Sequence, residues 1–225
     1  MKSILLATAV VLAASGSAFA ADAVAELPVA STYNWSGAYV GLTAGYGWGD
    51  SKFNDGVDSN SFDIDGFIGG VTVGYNAQFH ENWVVGVEAD LSYSDVKGSF
   101  GPGNLGQPNG DGWNCGSGAC VTKVEWYSTV RGRLGYAFNN ILVYGTGGLA
   151  FGRVKSGINN SSDFQASDTN VGWSAGGGVE YAFNQNWTAK AEYLHVDLGW
   201  TDVSNGFFKS DAKFDAVRIG LNYKF

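Results

Sequence analysis

Residues 214–225 read FDAVRIGLNYKF, and their alternation decides the fold. Val217, Ile219, Leu221, Tyr223 and Phe225 fall on one face of an extended chain, and Arg218, Gly220, Asn222 and Lys224 on the other. A period of two with one apolar and one polar face is the pattern of a β-strand. A greasy strand left at the edge of a sheet exposes unpaired backbone groups and invites aggregation. Pairing the last strand with the first removes that edge. The expectation is a closed barrel, provided the rest of the chain supplies its other strands.

Upstream, the clearest pattern is 83–94, where Trp83, Val85, Val87, Ala89, Leu91 and Tyr93 oppose Gly86, Glu88, Asp90, Ser92 and Ser94. The same period runs through 36–49, 64–79, 123–138, 170–183 and 187–200. In 123–138 the apolar face is assigned to Val124, Trp126, Val130, Leu134, Tyr136 and Phe138. Alternation is weakest in 141–153, with Val143, Leu149 and Phe151 on the apolar face. Tight turns at 80–82, 139–140 and 184–186 alternate with long polar loops at 50–63, 95–122, 155–169 and 201–213. Short turns at one end and long loops at the other predict an all-β, eight-stranded antiparallel up-and-down transmembrane barrel of OmpA/OmpX-like architecture. The 34 glycines, 15% aromatic content and 3 prolines agree with strands and turns.

Mean hydropathy is -0.05, which an alternating membrane barrel shares with a soluble protein. The polar face settles the orientation. It is largely Gly, Ser and Thr, as a narrow lumen requires, with isolated charges. Glu88, Asp90, Glu180 and Glu192 balance Arg131, Arg133, Lys190 and Arg218. Buried charges persist only when paired and hydrogen-bonded, so this set is expected to fill the lumen as a cluster. The competing reading makes them ordinary exposed strand charges. Phe79, Trp83, Phe138, Phe183, Trp187 and Tyr223 are expected at the inner membrane interface. Tyr46, Trp48, Tyr93, Trp126 and Trp173 are expected at the outer one.

Residues 1–20 read as a secretory signal, with Lys2, a short apolar run and an Ala18-Phe19-Ala20 cleavage motif that places the cut between Ala20 and Ala21. Residues 21–34 read as a flexible periplasmic lead-in, and 35–225 as the barrel. A net charge of -8 argues against nucleic acid as a partner. Two His, two Cys and one Met are poor material for metal or cofactor chemistry, and none is expected. Cys115 and Cys120, in the longest loop of an exported chain, are expected to form a disulfide. Residues 101–106, GPGNLG, match G-x-G-x-x-G but run into Gln107-Pro108 rather than a helix, so they are no nucleotide site. His195 with Asp197 lacks a placed nucleophile, and no enzyme is expected.

Residues 33–41, YNWSGAYVG, and 44–49, AGYGWG, resemble the opening of the RopB-like small outer-membrane proteins of alphaproteobacteria, often called outer-membrane immunogenic or porin-family proteins. Residues 144–150, YGTGGLA, 192–194, EYL, and 217–225, VRIGLNYKF, resemble later blocks of that family. The resemblance implies an abundant, surface-exposed outer-membrane barrel that supports envelope integrity and is recognised by hosts. It implies that Phe225 and the aromatic residues before it carry the signal read by the barrel-assembly machinery. Expected partners are outer-membrane lipid and lipopolysaccharide, that machinery, and host surfaces or antibodies. A narrow pore for small solutes, or a loop-borne binder of lipopolysaccharide, haem or host surface, are the alternative functions. No motif in this sequence carries a haem site.

Overall fold

The computed structural model describes residues 33–54, 59–100, 120–158, 165–203 and 208–225. The signal stretch, its boundary at Ala20 and Ala21, Cys115 and the Cys120 side chain lie outside the described residues.

The strands are β1 (Gly37–Asn54), β2 (Ser59–Phe79), β3 (Trp83–Ser94), β4 (Lys97–Phe100), β5 (Cys120–Phe138), β6 (Ile141–Ile158), β7 (Gln165–Ala182), β8 (Trp187–Val203) and β9 (Phe208–Lys224). All pairings are antiparallel, and β3 and β4 occupy one place between β2 and β5. The wall therefore has eight staves. It closes where β1 pairs with β9, from Tyr39↔Lys224 to Asn54↔Lys209.

The alternation faces outward as expected. Phe67 is 76% exposed while its neighbour Ile68 is 4% exposed. Leu42, Val87, Leu134, Ile219 and their outward neighbours form an apolar belt that water could not cover cheaply but hydrocarbon can. Below it, Phe79, Trp83, Phe138, Phe183 and Trp187 are exposed beside the short turns, and Tyr223 is half-buried among them. Edge-on ring contacts join Trp83 to Tyr136 and Trp187 to Tyr223. The turns are tight enough to need left-handed backbone at His80, Glu81 and Asn139.

Two sequence expectations need correction. Most of the predicted loops at 50–63, 155–169 and 201–213 is strand. β1 and β2 stay paired to Asn54↔Ser59, β6 and β7 to Gly157↔Gln165, and β8 and β9 to Val203↔Phe208. Hydrophobic alternation marks only the stretch that meets lipid. Beyond it both faces are polar, so the period vanishes while the backbone ladder continues. The second correction is Val124, which is fully buried inside the barrel. A bulge between Val124 and Trp126 shifts the register, so that Val124 and Tyr127 both point inward. An extra residue in one strand inverts the facing of everything beyond it.

Candidate functional site

Inside the wall the lumen is filled in three layers. The lowest is apolar and aromatic, built from Trp35, Val84, Ala137, Leu142, Tyr144 and Ala182, with Tyr33 beside them. Tyr33 and Asn34, assigned from the sequence to the lead-in, are ordered here against the barrel base. The Trp35 backbone N–H donates to Gln78 Oε1 at 2.8 Å, and its indole donates to the Asn139 carbonyl at 3.3 Å. The Tyr33 ring meets Trp35 edge-on at 4.7 Å, and the Lys224 ammonium sits 4.3 Å from its centre. Burial, reinforced by the charge of Glu180, pushes the Tyr33 phenol up to about 12, so it stays neutral.

The middle layer holds all eight charges singled out from the sequence, each of them buried. Strand register does the first part of the work. Glu88 lies opposite Arg131, Glu180 opposite Lys190, and Glu192 opposite Arg218. Longer side chains then tie separate staves together. Arg131 reaches Glu88 at 2.5 Å, Asp90 at 3.0 Å and Glu192 at 3.0 Å. Lys190 crosses the ring from β8 to Glu88 on β3 at 2.8 Å. Arg218 bonds Glu192 through both Nη2 and Nε, the latter at 3.1 Å, and reaches Asp90 at 3.3 Å. Arg133 pairs with Glu180 and lies 3.7 Å over the Tyr144 ring.

Neutral donors satisfy the remaining lone pairs. Tyr39 Oη donates to Glu88 at 2.7 Å, Thr129 to Asp90 at 2.6 Å, Asn222 to Glu180 at 2.8 Å and Tyr144 to Glu192 at 3.3 Å. Charges out of water need such excellent geometry, because desolvation costs several kcal/mol per ion. Gly74 makes room for the network, since a Cβ there would overlap the Tyr39 ring.

The upper layer is apolar. Ile64, Val96, Val124, Leu194, Leu198 and Phe214 are fully or almost fully buried. Tyr127 packs edge-on against Phe214 at 5.2 Å, and its hydroxyl accepts from Arg218 at 3.4 Å, joining this layer to the charges below. Sequence reading missed this cap. Leu194 and Phe214 share the inward phase with Glu192 and Arg218, and that shared phase is the signal that could have revealed them.

His195 does not pair with Asp197. Its Nδ1 lies 2.7 Å from Asp215, the residue opposite it in the register, and Asp197 pairs with Lys213 at 3.1 Å. Tyr193 also donates to Asp215 at 2.7 Å, so the group is a hydrogen-bonded cluster on the outer wall. Among the described residues, no group of three or more His, Cys, Asp and Glu could hold a metal ion.

A second set of charges lies outside the barrel, above the apolar belt. Lys97 and Lys123 share Asp95 at 3.0 and 3.4 Å, and Lys155 and Arg153 share Glu125 at 2.7 and 3.6 Å. Hydrogen bonds from Lys97 and Lys123 hold the Asp95 carboxyl below its ordinary range.

The family profile described as "Outer membrane protein beta-barrel domain" matches residues 6–225. The chain is 45% identical to the 31 kDa outer-membrane immunogenic protein of Brucella melitensis, over all of both chains. It is 35% identical to the 22 kDa outer membrane protein of Rhizobium leguminosarum, covering 89% of this chain and 82% of that one. In fold it is similar to the outer membrane protease OmpT of Escherichia coli, at a TM-score of 0.54 and 10% identity, covering 87% of this chain and all of that one.

Proposed function

Because this chain belongs to the outer membrane protein β-barrel family, we propose that it works as a structural, non-conducting barrel that stands in the outer membrane and carries surface segments outward as antigens. The filled lumen carries this reading. An ion-paired layer spans the ring, with apolar layers above and below it. An ion entering would have to displace both apolar layers and break pairs that compensate one another. A wet, permanently open pore needs the opposite, a polar channel with water in it. The name of the Brucella relatives, outer-membrane immunogenic protein, supports the antigen part.

Planar-bilayer recording on refolded protein tests the first claim. The expected result is no reproducible single-channel steps, and regular steps at low voltage would overturn it. Surface labelling of intact cells with antibodies raised against the purified protein tests the second. Binding that needs permeabilised cells would count against it. The assembly machinery is a further proposed partner, through Phe225. That side chain is 72% exposed beside Tyr223, and its backbone N–H donates to Ala38 at 3.0 Å at the closing seam.

A further inference from the structure

The outer rim is not evenly charged. On β4, β5 and β6, directly above the apolar belt, Lys97, Lys123 and Lys155 lie opposite one another across three adjacent strands. Adjacent strands are about 4.8 Å apart, so the three ammonium stems rise from one short row. Arg153 sits one outward position lower on β6, opposite Trp126. The four cations are half-buried to exposed, with side-chain exposures of 59%, 39%, 49% and 46% for Lys97, Lys123, Lys155 and Arg153.

Like charges placed directly across a ladder destabilise it. Here Asp95 and Glu125 bridge the row from below but supply two negative charges against four positive ones. At the β2 edge, Asp65 faces Lys97, and its carboxylate accepts from Tyr46. The chain as a whole is acidic, at -8, so a cationic surplus on one side of the rim runs against its composition. On the far side Asp63, Asp197 and Asp215 stand with Lys52 and Lys213. The β5 bulge belongs to the same place. It puts Glu125 and Trp126 outward in succession, adding a carboxylate and an indole where the acyl region ends.

From this placement we infer that the Lys97–Lys123–Lys155 row, with Arg153, is a docking surface for the phosphate groups of a phosphorylated glycolipid in the outer leaflet. The apolar wall below it, through Tyr93, Trp126 and Leu149, takes the acyl chains. Ammonium and guanidinium groups donate strong charge-assisted hydrogen bonds to phosphate oxygens. Arg153 supplies the planar fork and the lysines supply adaptable point charges. Height matters as much as charge. A free anion would not need a cation row set flush with the top of the hydrocarbon, whereas a lipid headgroup is held there by its own tails. The inference rests on the barrel standing in an outer leaflet and is independent of whether it conducts.

The test uses refolded full-length mature protein in detergent micelles. Lipid A, a diphosphorylated glycolipid, and the same lipid with both phosphates removed are offered separately, and retention is read by native mass spectrometry. The expected result is at least about tenfold stronger retention of the phosphorylated form. K97Q/K123Q/K155Q is expected to lose that preference, K97R/K123R/K155R to keep it, and K52Q/K213Q on the far rim to keep it. Inorganic phosphate at millimolar level is expected not to compete. Equal retention of the two lipids, an unchanged preference in the glutamine triple variant, or full competition by inorganic phosphate would each overturn the proposal. Gel mobility without boiling certifies that each variant is folded, and the far-rim variant controls for general loss of charge. Channel recording on the same preparations would bear on conduction alone.

Discussion

The barrel carries two charge clusters built from the same residue types, one inside the wall and one outside it. In the lumen, Arg131, Arg133, Lys190 and Arg218 meet Glu88, Asp90, Glu180 and Glu192 at full burial. At the rim, Lys97, Lys123, Arg153 and Lys155 meet Asp95 and Glu125 in solvent. Inside, charge is balanced and nearly every partner is shared, because an unmatched ion there is intolerable. Outside, water screens the pairs, and an imbalance is cheap enough to keep. Charge therefore specifies the interior packing of this protein, whereas on the exterior it is available for something else.

Substitutions can break that contrast, and the largest effect is expected at Glu192. Glu192→Gln leaves Arg131 and Arg218 each short of a buried counter-charge, at a cost of about 3–5 kcal/mol. Urea unfolding of the refolded protein in lipid vesicles measures it, and a cost below about 1 kcal/mol would mean that the lumen behaves like the rim. The apolar cap comes next. Phe214→Ala removes the ring packed on Tyr127 and is expected to cost about 3–5 kcal/mol at most, with the lower end reached if Leu198 and Ile64 close in. The same assay reads it.

Glu125→Gln at the rim sharpens the comparison from the other side. Its partners Lys155 and Arg153 are half-exposed, so the expected loss is within about 1 kcal/mol. The smallest effect is in acid. Asp95 titrates below the ordinary value of about 3.9, because Lys97 and Lys123 bond its charged form. A carboxyl depressed on folding stabilises above its unfolded value and loses that contribution as pH falls through the lowered one. Carboxyl-carbon NMR should find Asp95 still ionised where a free Asp is half protonated.

How much of this was legible in the chain differs between the two clusters and between the two ends of each stave. The eight lumen charges stood out because each interrupts a small, polar face at the strand period, and balance pointed to burial. The cap did not, because Leu194, Val196 and Phe214 are apolar residues on the polar face and look like noise in the alternation. Anchoring the phase on Glu192 and Arg218 would have placed them. Val124 was beyond that device, since the bulge at Glu125 leaves no mark in composition. The strand extensions to Asn54, Ile158 and Val203 were hidden for a different reason: a ladder in water needs no hydrophobic face, so nothing in the residue pattern announces it. The rim row of Lys97, Lys123 and Lys155 depends on register across three strands, which no single segment reveals.

The seam between β1 and β9 has a consequence for how the molecule is made. Tyr39 cannot meet Lys224 until nearly the whole polypeptide has been delivered, so the ring must wait for its final segment. Until then Arg218 is missing from the lumen, and Glu192 and Asp90 lack one of their cations. Enclosure and charge neutralisation thus arrive in the same event, and a half-built cylinder has neither to recommend it. Such a precursor has every reason to remain under escort until its last dozen residues are in place.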